Sequence, residues 1–79
     1  MKVDYDSDMP PYQQIAADLR QQIASGQLAP RSRVPSVERI VQEYGVARTT
    51  ARKAVHLLAD EGLVRVVPGW GTRVVDRSA

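Results

Sequence analysis

Three residues, Gly45-Val46-Ala47, constrain this chain more than any other feature. They separate two stretches that both carry helical spacing. Before them, Val37, Ile40, Val41 and Tyr44 recur at one helix face, and after them Ala51, Ala54, Val55 and Leu58 do the same. A glycine-led turn this short makes the two helices cross closely, so their apolar faces must share one core. The spacing predicts a helix over about 36–44, with Ser36 as its N-cap, and another over about 48–61, ending before Gly62.

The flanking stretches supply what such a pair needs to become a domain. Pro10 and Pro11 lead into an amphipathic run with Ile15, Ala16, Leu19, Ile23 and Ala24 on one face, and Gly26 is its expected C-cap. That predicts a first helix over about 11–25. The segment 27–33, QLAPRSR, is a turn, and Arg33-Val34 has room for a very short strand before Pro35. After Gly62 the period changes. Residues 63–67 and 72–75 are β-branched and short, and Pro68-Gly69-Trp70-Gly71 between them is a turn. A lone hairpin is marginal, so this one must pack on the helices. The expected fold is mainly α with a small β-hairpin (α+β): a winged helix-turn-helix of three helices and a two-stranded wing. Residues 10–76 form this domain, 1–9 are expected to be a flexible acidic leader, and 77–79 a tail.

A chain of 79 residues makes one small domain. It has no cysteine and one histidine, His56, which leaves neither a disulfide framework nor a plausible metal site. No Ser-His-Asp set, P-loop or catalytic carboxylate pair is present; Asp60 and Glu61 read as a solvated helix end and His56 as a polar surface residue. An enzyme and a cofactor are therefore not expected. No apolar run is long enough for a membrane helix, and the acidic start MKVDYDSD is not a signal peptide, so the cytoplasm is the expected location. The net charge is only +2, but it is unevenly placed. Residues 1–18 carry four aspartates against Lys2, whereas 19–75 carry eight arginines and Lys53 against four acids. That basic body suits either an anion-binding module or a plain solvated surface.

Position on the third helix separates these. At about 100° per residue, Thr49, Arg52, Lys53 and His56 point away from the apolar face, with Arg48 and Thr50 at its margins. The major groove of DNA admits one α-helix, and side chains near the helix start reach base edges. Arg48 and Arg52, four apart, are suited to guanine. Thr49 and Thr50 suit phosphate or a thymine methyl, and Lys53 suits a phosphate. In the wing, Gly69 lets backbone approach phosphate closely. Trp70 either folds back over the hairpin or helix three, or turns outward to a sugar, the minor groove or a dimer partner. Arg65 and Arg73 either flank a duplex or are solvated.

From Pro11 to Val75 the chain resembles the DNA-binding domain of the GntR family of bacterial transcription regulators. The resemblance runs through PYQQIAADLRQQIASGQLAP, VPSVERI, YGVARTTARKAVHLLADEGLV and PGWGTRVV. It implies that helix three lies in the major groove and that the wing tip reaches the adjacent minor groove or backbone. It implicates Ser36, Arg48, Thr49, Thr50, Arg52 and Gly69. Three positions depart from the family pattern. Glu38 stands where an arginine is usual two residues after the serine, and arginine follows as Arg39; Glu38 then faces away, reads a cytosine amine or pairs with an arginine. Ala47 replaces the usual capping serine or threonine of helix three. Arg31 follows Pro30 where glycine is usual.

Family members usually continue into a C-terminal domain that binds an effector and drives dimerisation. This chain ends just after the wing, and no effector site is evident in it. A short natural regulator is expected, with a fragment of a longer one as the alternative. The expected function is sequence-specific binding of double-stranded DNA, as a repressor occupying a palindromic operator, with two copies that pair in solution or only on DNA. The rival expectation is a protein-interaction module using the wing and Trp70.

Overall fold

The computed structural model describes residues 3–76. Three helices, α1 (Pro11–Ser25), α2 (Val37–Tyr44) and α3 (Arg48–Asp60), precede two antiparallel strands, β1 (Val64–Val67) and β2 (Gly71–Val74). This is the expected three-helix arrangement with a hairpin wing. Expected and observed helix ends agree within one residue.

Each boundary has a local cause. Proline at the first position starts α1, and Gly26, left-handed at φ 85°, ends it. The Ser36 hydroxyl accepts from the Arg39 amide at 3.2 Å, which caps α2. Gly45 ends α2 at φ 67°, its amide donating to the Val41 carbonyl. Only Val46 and Ala47 then intervene before α3.

The core lies where the three helices and the root of the wing meet. Ile15 and Leu19 of α1, Ile40 of α2, Leu58 of α3 and Val34 are its largest fully buried side chains. Val64 and Val74, paired across the hairpin, seal it from below. One polar link crosses this packing: the Tyr44 hydroxyl donates to Asp18 at 2.6 Å, and Gln22 donates to the same oxygen at 3.1 Å. Burial and the neighbouring Asp18 carboxylate hold the Tyr44 hydroxyl well above its ordinary ionisation range. At the far end Arg20 grips Glu61 with two hydrogen bonds, of 2.9 and 2.7 Å, joining α1 to the close of α3. These hydrogen bonds hold the Glu61 carboxyl below the usual carboxylate range.

Two segments are more ordered into the fold than their composition predicts. The short strand expected at Arg33-Val34 is a single bridge, Arg33 to Arg73. Around it the Val34 amide donates to Thr72, the Val74 amide to Ser32 and the Arg31 amide to Val74, at 2.8–2.9 Å. The wing is thus stitched to the segment that leads into α2.

The expected acidic leader also touches the domain. Val3 is buried in the core. The Gln14 side chain accepts from the Asp4 amide and donates to the Asp4 and Met9 carbonyls, and Tyr5 donates to the Gly45 carbonyl at 3.2 Å. Aspartates at 4, 6 and 8 obscured this, because their side chains stay exposed while the backbone and Val3 make the contacts. The expected tail, 77–79, lies outside the described residues.

Candidate nucleic-acid interface

The first turn of α3 combines three properties. Its inward residues Ala51, Ala54, Val55 and Leu58 are all buried, which fixes the helix rotation. Thr49, Arg52, Lys53 and His56 are consequently exposed and Thr50 half-buried. The Ala47 side chain offers no cap, so the Arg48, Thr49 and Thr50 amides stay open at the positive end of the helix dipole. Ala47 nevertheless has the extended backbone of a cap residue, φ −69° and ψ 156°.

Charge is distributed unequally over this turn. Arg52 forms no ion pair among the described residues. Arg48 is 3.4 Å from Glu38 on the neighbouring helix, with both side chains more than half exposed. Of the three possibilities open for Glu38, the structure selects pairing with an arginine, and that arginine is Arg48. Arg39 is occupied differently, by Glu43 four residues on at 2.8 Å. Lys53 holds its ammonium 5.7 Å from the centre of the Tyr12 ring, which keeps it on the α1 side of α3.

The wing tip lies on a type of turn that needs glycine. Gly69 and Gly71 have φ of 80° and 83°, and the Trp70 amide donates back to Val67 at 2.9 Å. Trp70 does not fold over the hairpin or α3. It is 67% exposed, and the Arg73 guanidinium lies 5.9 Å from its ring centre. Ser36, by contrast, uses its hydroxyl internally as the cap of α2.

The remaining departure, Arg31, has φ 69°, the left-handed region where glycine is at ease. Its amide bond to Val74 and its 3.1 Å pair with Asp76 hold it there. Among the described residues no group of acidic, histidine or cysteine side chains is arranged to hold a metal, and no helix is long and apolar enough to cross a membrane.

Comparison with known proteins then places the chain. The model of bacterial regulatory proteins of the gntR family matches residues 11–74. The chain belongs to the GntR family. What it contains is the family's winged helix-turn-helix DNA-binding domain. It is 36% identical over 74 residues to the transcriptional repressor NagR of Bacillus subtilis, covering 94% of this chain and 30% of that protein. It is 38% identical over 65 residues to the mannosyl-D-glycerate system repressor MngR of Escherichia coli, covering 82% of this chain and 27% of that one.

Among solved structures, YtrA of Sulfolobus acidocaldarius superposes with a TM-score of 0.88 at 33% identity, over 95% of this chain and 79% of that one. The DNA-binding domain of AraR, bound to its operator ORX1, superposes with a TM-score of 0.84 at 31% identity, over 92% and 94% of the two chains. The chain spans about three tenths of the length of NagR and MngR.

Proposed function

We propose that this GntR-family domain binds an operator in double-stranded DNA and represses by occupying it. The observation that carries this is the first turn of α3, where unpaired Arg52 and three open amides stand on a helix whose rotation the core fixes. The operator complex of the AraR domain, alike in fold, supports the same docking mode. In that mode Arg48 and Arg52 read base edges, preferring guanine, and Thr49, Thr50 and Lys53 meet phosphate or a thymine methyl. Gly69 and Trp70 of the wing meet the adjacent groove or backbone. Ser36 contributes through its place at the start of α2, where its hydroxyl already caps the helix. Two copies on a palindromic site, paired in solution or only on DNA, match the two-fold symmetry usual for such motifs. The setting is the cytoplasm, on the nucleoid.

The test is selection of bound sequences from a random duplex pool, followed by titration of the selected duplex and a random one. Arg48→Ala and Arg52→Ala are each expected to cost roughly 1–3 kcal/mol on the selected duplex and to relax base preference. Variants that bind both duplexes like the parent would refute the assigned reading face.

A further inference from the structure

The strand register of the wing has a consequence beyond holding Trp70 at the tip. It sets Arg65 directly opposite Arg73 on the hairpin, and the bridge to the preceding segment sets Arg33 opposite Arg73 on the other side. Residues directly opposed on antiparallel strands project from one face. Val64 and Val74, one position along, are buried on the reverse face. Three arginines therefore stand in a row across the outer face of the wing.

Such a row is unfavourable in isolation, because like charges directly opposite each other destabilise a ladder. Nothing nearby offsets it. Among the described residues none of the three forms an ion pair. Asp76 borders Arg65 and Arg73 but is engaged with Arg31.

The side chains are also placed. Arg73 donates to the Arg31 carbonyl at 3.4 Å and lies against the Trp70 ring. Arg33 runs across Gly71, where a Cβ would sit 3.1 Å from its Nε. A side chain at position 71 would displace it. Arg33 also borders Ser36 and Arg39 at the start of α2, so the row joins the wing to the interface proposed above.

We propose that Arg33, Arg73 and Arg65, with Trp70 at the end of the row, form a second, sequence-blind grip on the phosphate backbone of duplex DNA. This rests on the DNA-binding reading of the domain. The minor groove is only about 6 Å wide, so a β-ribbon at its mouth has a sugar–phosphate strand beside it. The arginine row meets that strand, and the exposed Trp70 ring covers a sugar. Continuity with Ser36 and α2 favours nucleic acid over an acidic protein segment as the occupant.

The test compares the 79-residue chain with the triple variant Arg33→Gln, Arg65→Gln, Arg73→Gln, titrated with selected and random duplexes from 50 to 200 mM salt. Each lost phosphate contact removes about 0.9 from the slope of log affinity against log salt. Loss of all three lowers the slope by about 2.7, so the parent's advantage shrinks about 40-fold across that salt range. Both duplexes weaken by the same factor, and base preference stays intact. The corresponding triple Lys variant keeps the slope, which separates charge from folding.

An unchanged slope in a folded Gln variant overturns the proposal while leaving the α3 reading untouched. A parent chain that binds no duplex overturns the DNA reading itself. Full duplex binding by the Gln variant with lost binding to polyglutamate assigns the face to an acidic protein and equally overturns it.

Discussion

Replacing Glu38 by glutamine tests whether an acid on α2 restrains the reading helix. The change keeps shape and removes one charge. At 3.4 Å from Arg48, with side chains 62% and 59% exposed, the pair has a Coulomb energy of about 1 kcal/mol in bulk water. Exposed pairs of this kind yield only about 0.2–1 kcal/mol after screening and side-chain ordering. Thermal stability should accordingly fall by less than about 4–8 °C, the shift expected for 1 kcal/mol in a domain of this size.

DNA binding should move the other way. Arg48 no longer has to leave a partner to meet the duplex, so random-duplex affinity rises by up to about 1 kcal/mol, roughly two- to five-fold. The salt slope steepens by up to about 0.9 as Arg48 reaches a phosphate. Preference for the selected sequence over random DNA falls, because the gain is indifferent to sequence. Fluorescence anisotropy with both duplexes across 50–200 mM salt reads all three quantities. Weaker binding of Glu38→Gln to the selected duplex alone would refute this reasoning and assign Glu38 to a cytosine amine instead. No change in either duplex would mean that the pair with Arg48 does not restrain it.

Two further outcomes concern stability. Ala47→Ser should raise stability by about 0.5–2 kcal/mol, since the backbone there is already extended as a cap requires; a urea melt measures it. Tyr44→Phe should cost about 1.5–3 kcal/mol, as a hydrogen bond to a charged group is lost. Because the folded state keeps the Tyr44 hydroxyl protonated above its model value of 10.0, this stabilisation is complete at neutral pH and is lost as pH climbs past that value. Urea melts between pH 8 and 11 should show a shallower alkaline decline in the Phe variant.

The sequence disclosed the parts of this fold whose causes are local. Helical periodicity, the Ser36 cap and the glycines at 26 and 45 specify their elements within a few residues, and the structure reproduces them. The arginines and threonines of α3 were legible too, since Ala51, Ala54, Val55 and Leu58 fix which side faces out. Contacts between distant residues were not. Val3 carried no periodic signal, and Gln14 resembled any helix-surface amide, yet together they hold residues 3–9 to α1. The partner of Glu38 depended on the crossing of α2 and α3, which periodicity does not set. The arginine row needed the strand register and the Arg33 bridge; from sequence Arg65 and Arg73 were only two of eight arginines between residues 19 and 75.

The stitching of residues 31–34 to β2 bears on how the domain would measure DNA. A wing joined only by its hairpin root would swing, and its tip would follow a groove of variable position. Here the backbone leading into α2 is hydrogen-bonded to the same strand that leads away from the wing tip. The helix pair and the wing therefore behave as the two jaws of a fixed caliper. An operator fits only when its major-groove bases and its neighbouring minor groove stand at the set separation, so local DNA twist becomes part of what such a domain discriminates.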